Sequence, residues 1–351
     1  MESDMHYIDF TTIVNHAWAA YDSSRPIKSI SDISARVSTN HVYKIIFPEG
    51  DFVIAKLSYF GKYDHFIEDH SIINVLANNL NTPFNHFLAR SLIKGNQLFV
   101  HRYKDSLIDA WVVFYNPVTI DQKLPARLNH TQIERLGEEF AAFHKACSRV
   151  SNTLPPSSKT LKSDLYHLLD ILSTDFGQFE HRLYASVIQE QCERFFTNSD
   201  LLRVDKLQKL PVFVDWNIGN FSVTNQTSLF SRWDYDWFRM ASRILDFYFL
   251  SRIVSDAGDR TVFSYNISTL MEDRFIIFLK AYHRVYPLTE TEIRFIPEVY
   301  RFFILNYVIK DGRYFFHEIY ATKLQKEAYS TYLPSIEKEF NADKLLRALA
   351  L

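Results

Sequence analysis

The chain has 351 residues, 47% of them hydrophobic, enough to bury a large core arranged as one or two lobes. Its 39 basic and 41 acidic side chains leave a net charge of -2, without the basic face of a nucleic-acid binder, and no run approaches the roughly eighteen apolar residues of a membrane span. Cys147 and Cys192 have neither the number nor the spacing of a disulfide framework or zinc site, and the acidic start MESDMHYIDF is unlike a secretory signal, so a soluble cytoplasmic protein is expected, with no nucleic-acid or membrane partner.

Residues 1–22 carry a short amphipathic pattern (Ile13, Trp18, Tyr21) that reads as a lead-in helix, closed by a turn before Pro26. From Ile30 the period changes. Residues 30–37 and 41–47 read as two strands joined by a polar Ser38-Thr39-Asn40 loop, and a third strand, 52–57, follows the turn at Gly50. Ile54 and Lys56 stand two apart on that strand and share one face. An amphipathic helix over 66–80 follows, with Ile73, Leu76 and Leu80 on one stripe. Runs 88–93 and 97–103, joined by Lys94-Gly95-Asn96, read as a hairpin completing a lobe of five strands and one helix. Residues 103–106 are then the expected hinge, dividing the chain into lobes 1–104 and 105–351; the run that follows, to about residue 128, has no clear period.

Beyond it, Thr131 and Glu134 form a capping-box pattern that opens a long helix over 133–148, striped by Leu136, Phe140, Phe143 and Cys147. His144 on that apolar stripe reads by default as a hydrogen-bonded core histidine rather than a ligand. Residues 161–203 are helical and charged.

The strand-like residues Val212, Phe213 and Val214 then deliver Asp215, and five residues on comes Asn220, with Phe221 and Val223 resuming a strand. Asp234 follows in Trp233-Asp234-Tyr235-Asp236. A carboxylate to accept the proton of an attacking hydroxyl, followed by an amide and a second carboxylate to hold Mg²⁺ against phosphates, is what phosphoryl transfer needs. The spacing alone is weak, because Asp69 and Asn74 repeat it inside a helical pattern where residues five apart do not converge.

In this strand-loop-strand setting the residues resemble the aminoglycoside phosphotransferase and choline kinase family, whose loop reads His-Gly-Asp-x-His-x-Gly-Asn and whose metal strand reads Ile-Asp-Trp-Glu. Asp215, Gly219 and Asn220 match; Phe213, Val214 and Asn217 depart; Trp233-Asp234-Tyr235-Asp236 stands in for the second motif. Leu136-Gly137-Glu-Glu-Phe140-Ala141 and the later Pro287-Leu-Thr-Glu-Thr-Glu292 are similar to the family's helices, so the resemblance runs from about residue 30 to about 310.

The resemblance implies an α+β, two-lobed protein-kinase-like fold: a small antiparallel β lobe with one helix, and a large, mainly helical second lobe. It implies Asp215 as catalytic base; Asn220 and Asp234 as Mg²⁺ ligands with Asp236 as a further candidate; and Lys56 on the phosphates of ATP, with GTP as the alternative donor. Glu68 is expected behind Lys56, with Asp69 the shorter alternative, Ile54 against the adenine, and Ser38, Thr39 and Asn40 over the phosphates. Asp246 falls where the family holds the catalytic loop's backbone. The acceptor is a small-molecule hydroxyl, and Asp256, Asp259 and Glu272 are candidate contacts to a cationic one. Two rivals stand beside this reading. One is a catalytically impaired kinase-like binding protein, suggested by Phe213 and Val214; the other is a metal-dependent hydrolase built on Asp215, Asp234 and Asp236.

Overall fold

The computed structural model describes residues 8–35, 40–256 and 264–351, so Ser38, Thr39 and Asp259 lie outside the described residues. Helix α1 (Phe10–Tyr21), N-capped by the Asp9 carboxylate, leads into strands β1 (Ser29–Asp32), β2 (His41–Ile46) and β3 (Phe52–Ser58). The β2–β3 turn places Gly50 at φ +95°, a left-handed conformation that a side chain resists. After helix α2 (Tyr63–Asn79) come a two-residue ribbon, β4 (Ile93–Lys94) with β5 (Gln97–Leu98), and then β6 (Val100–Lys104) and β7 (Asp109–Tyr115).

The five-stranded sheet has the order β1-β2-β3-β7-β6, with every neighbouring pair antiparallel. Its two faces follow the strand period. Tyr43, Ile45, Ala55, Leu57, Val112 and Phe114 pack with Ile13, Val14 and Trp18 of α1, while Ile54, Val113 and Tyr115 turn the other way, onto the core of the rest of the chain. Lys56, opposite Val113 in the register, belongs to this second face.

Two expectations are corrected here. Residues 103–106 lie inside one hairpin rather than at a hinge: Tyr103 and Lys104 end β6, and residues 105–108 make the tight turn to β7, with Asp105 accepting the backbone N–H groups of Leu107 and Ile108. The fifth strand is β7 rather than 88–93, whose residues make isolated bridges from Leu88 to Arg232 and Ser91 to Tyr115 and join the two-residue ribbon only at Ile93. A division at 104/105 would cut the β6–β7 hairpin, and we propose that the lobes divide just beyond Tyr115.

The remainder is mainly helical. Helix α3 (His130–Val150) starts earlier than expected because Asn129 and Gln132, not Thr131 and Glu134, form the reciprocal capping box. Helices α4 (Leu161–Leu172), α5 (Asp175–His181) and α6 (Ala185–Leu201) follow, then four short strands: β8 (Leu210–Val212), β9 (Phe221–Val223), β10 (Leu229–Arg232) and β11 (Arg239–Ala241). β8 pairs with β11 and β9 with β10, so the loops 213–220 and 233–238 are each gripped at both ends by strand pairing.

Next are α7 (Phe247–Val254), α8 (Asp273–Val285) and α9 (Glu290–Phe303). The chain closes with α10 (Gly312–Phe315), α11 (Glu318–Glu327), α12 (Leu333–Glu339) and α13 (Ala342–Leu349). Gly137 lets α3 lie directly against α8, since a Cβ there would sit 2.6 Å from the Phe278 carbonyl oxygen. No helix among the described residues is long and apolar enough to cross a membrane.

Candidate active site

The loop between β8 and β9 is held from beneath by a fully buried relay. One carboxylate oxygen of Asp246 accepts the backbone N–H groups of Phe213 (3.0 Å) and Val214 (2.7 Å). The other pairs with His144 Nε2 at 2.9 Å, and His144 Nδ1 bonds the Tyr282 hydroxyl at 2.7 Å. His144 is thus a hydrogen-bonded core histidine whose work is to orient Asp246. Asp246 in turn anchors the backbone just before Asp215, the geometry the resemblance implied for it.

Val214 takes φ 60° at this anchor, a left-handed conformation that β-branched residues avoid and glycine accepts. This is the position where the family's loop has glycine. Phe213, in place of the histidine, is fully buried against Phe143, Trp216, Tyr235 and Phe238. The loop therefore makes its left-handed turn with a valine and is packed by rings at Phe213.

At the apex, Asp215 accepts the Asn217 backbone N–H at 3.2 Å and the Asn220 side-chain amide at 3.0 Å. With the nitrogen end of Asn220 committed to Asp215, its carbonyl oxygen points away from that carboxylate. Across the lobes, Lys56 Nζ reaches Asp234 Oδ1 at 3.1 Å and forms a second ion pair with Asp236. Asn40 donates to Asp236 at 2.6 Å, and the Asp236 backbone N–H bonds the Asp234 carboxylate at 3.1 Å.

Burial pulls the Lys56 pKa down, but the two carboxylates more than offset it and the net shift is upward. The acids divide. Burial pushes Asp236 up, as does the neighbouring charge of Asp234, to about 6, whereas for Asp234 the burial effect is outweighed by Lys56 and its pKa falls. Two carboxylates sharing one ammonium leave a net negative charge, so Asp234 and Asp236, with the Asn220 carbonyl, suit a divalent cation in charge and in hard oxygen chemistry.

No family profile and no curated protein matches the sequence. Solved structures do. The amicoumacin kinase hAmiN, in complex with AMP-PNP, Ca²⁺ and Ami, superposes with a TM-score of 0.65 at 13% identity, covering 96% of this chain and 97% of that one. A microcompartment-associated aminopropanol kinase gives 0.60 at 16% identity, covering 95% and 99%. The streptomycin-ATP-APH(2″)-IIa ternary complex gives 0.55 at 12%, covering 94% and 99%. The chain has the protein-kinase-like fold of the aminoglycoside phosphotransferases.

Within this kinase-like frame, helix α2 departs from expectation. Glu68 does not pair with Lys56. It accepts the Ser157 hydroxyl (2.7 Å) and the Ser158 N–H (2.8 Å), and Asp69 pairs with Lys159. The residue of α2 that reaches the β sheet is His70, which bonds the Phe66 carbonyl and the Tyr115 hydroxyl; burial lowers its pKa to about 3, so it is neutral. Ile54 lies half-buried on the face of β3 that carries Lys56. Asp256 pairs with Arg127, and Glu272 accepts the Asp256 N–H.

A cleft of about 520 Å³ opens beside Asp236, between the start of α2, helix α4 and residues 306–315. Asp236 lines it; Asp215, Asp256 and Glu272 do not. Its charges are largely paired, Lys159 with Asp69, Arg239 with Asp164 and Lys310 with Asp311. Sequence reasoning missed these pairs because their members are scattered over four separate segments and carry no local pattern.

Proposed function

We propose that the protein transfers the γ-phosphoryl group of ATP, with GTP as the alternative donor, to a hydroxyl of a small polar molecule. The observation that carries this reading is the meeting of Lys56, from the β lobe, with Asp234 and Asp236, beside a loop that presents Asp215. The acceptor oxygen attacks the γ-phosphorus as the bond to the β-phosphate oxygen breaks, and Asp215 takes the hydroxyl proton. Lys56 exchanges its carboxylate partners for phosphate oxygens and aligns them, while Asn40 and Ile54 line the donor side. Asp234, Asp236 and the Asn220 carbonyl would hold Mg²⁺, which neutralises phosphate charge when bound. The cleft beside Asp236 is the proposed acceptor entrance, and its mixed charges favour a hydrogen-bonding ligand over an apolar one. A hydrolase built on three acids around one metal fits less well, because Asp234 and Asp236 turn to Lys56 while Asp215 turns to Asn217 and Asn220.

The test has two parts. Melting is measured with Mg·ATP and Mg·GTP, where ligand at one hundred times its dissociation constant adds about 2.7 kcal/mol; no shift with either sinks the reading. ADP release is then screened over hydroxyl acceptors for the wild type and Asp215→Asn. The variant keeps its shape but has no proton acceptor, so nucleotide binding survives and turnover falls roughly 10²- to 10⁴-fold. A wild type that binds nucleotide and phosphorylates nothing would instead be the impaired binding protein that Phe213 and Val214 suggested.

A further inference from the structure

Arg232 ends β10, two residues before Asp234, and its side chain is completely buried. Its backbone is fixed on both sides: the N–H donates to the Phe87 carbonyl at 2.7 Å, and the carbonyl accepts the Ala89 N–H at 2.8 Å. The guanidinium points under the catalytic loop. Nη2 donates to the backbone carbonyl of Asp215 at 2.9 Å. The same group lies over the ring of Trp216, 4.1 Å from its centroid, and over that of Phe213 at 4.7 Å. It thus touches the residue after Asp215, Asp215 itself and the residue two before it.

Nε and Nη1 make no hydrogen bond among the described residues. A buried guanidinium without its full set of bonds is unfavourable in a core, where a methionine would fill similar space with no loss of hydration. The position therefore has to be explained by what the charge does. Burial presses the Arg232 pKa down, while Asp215, Asp234 and Asp246 act the other way, so it is the cation among three acids. The rings it covers include Phe213, where the resembling loops have histidine, and an aromatic face there gives the guanidinium a cation–π partner. Seen from Arg232, Phe213 and Trp216 are the two walls of its seat.

We propose that Arg232 is a positioning residue for the catalytic base, a cationic clamp that holds the Asp215 carbonyl and the flanking aromatic rings. The proposal rests on the phosphotransferase reading for its effect on turnover, but not for its effect on the loop.

The experiment compares wild type, Arg232→Met and Arg232→Lys by three readouts: the melting shift with Mg·ATP, kcat and KM for acceptor-free ADP release from Mg·ATP, and amide hydrogen exchange of residues 213–220. In Arg232→Met, exchange in that loop rises about tenfold and kcat falls by about tenfold or more, while KM for ATP and the melting shift stay within about threefold and a few degrees. Arg232→Lys, which keeps a cation and a donor, recovers part of kcat. Should Arg232→Met fail to fold, Trp216→Leu removes one wall of the seat and is read the same way. Loop exchange and kcat equal to wild type overturn the proposal, as does a uniform rise in exchange with kcat and KM impaired together, which marks an ordinary core residue. A wild type with neither melting shift nor ADP release overturns the phosphotransferase reading instead, and loop exchange alone then decides whether Arg232 holds the loop.

Discussion

Val214 adopts a glycine-like backbone at the position where the resembling loop has glycine. It takes φ 60° while nearly fully buried, its N–H held by Asp246. Strain of this kind is on the order of 1–3 kcal/mol. Replacing Val214 by glycine removes the strain but loses about 1.5–3 kcal/mol of side-chain burial and adds about 0.5–1 kcal/mol of freedom to the unfolded chain. Val212→Gly, in β8, suffers the same losses with no strain to relieve. Val214→Gly should therefore destabilise by about 1–3 kcal/mol less than Val212→Gly in urea unfolding; equal costs would mean the left-handed conformation carries no strain. At this scale the loop and the strand that leads to Asp234 were legible, because Asp215, Asn220, Asp234 and Asp236 sit in short motifs whose spacing is local. Arg232 was not singled out, although an arginine ending a short strand two residues before Asp234 was the available signal.

At the scale of an element, a strand's direction is easier to read than a helix's rotation. The alternation along β2 and β3 was visible in the sequence, whereas β7 is buried on both faces, so its unbroken run Trp111-Val112-Val113-Phe114-Tyr115 shows no period to identify it. For α2 the apolar stripe was legible, but each residue turns the helix by about 100° and only tertiary contacts decide which side chain meets Lys56. Glu68 and Asp69 face the chain around Lys159, and His70 bonds the hydroxyl of Tyr115 on the sheet face that carries Lys56. The Asp69–Lys159 pair has a testable consequence. Burial drives Asp69 up to about 6 against the pull of Lys159, and burial likewise lowers Lys159, so desolvation outweighs their attraction. A carboxyl whose pKa is higher folded than unfolded takes up a proton on folding between the two values. Its stabilising contribution is full below the unfolded value of about 4 and is lost as pH rises through about 6. The melting temperature of wild type minus that of Asp69→Asn should fall between pH 4 and pH 7. A difference that stays flat or rises would show that Asp69 is not held in its protonated form.

Across the whole molecule, Lys56 is the charged strap between the lobes: an ammonium on β3 that neutralises two acids, Asp234 and Asp236, nearly 180 residues away in the chain. Sequence could name all three residues, but it could not show that the lysine pairs directly with both acids. The arrangement makes a divalent cation and Lys56 partial substitutes for one another. In the wild type, Mg²⁺ without nucleotide meets acids already half-neutralised and should raise the melting temperature little. In Lys56→Met the two carboxylates face each other unpaired, at a cost of the order that follows breaking a buried ion pair, about 3–5 kcal/mol at most and less here because the Asp234 side chain is 32% exposed. Millimolar Mg²⁺ alone should then recover several degrees, reversibly with chelator, while the gain from adding ATP shrinks because the phosphates have lost their lysine. Asp234→Asn in the same background should abolish the Mg²⁺ response. If Lys56→Met responds to Mg²⁺ no more than wild type does, Asp234 and Asp236 are not a cation site, and the metal assignment fails even if ATP binds.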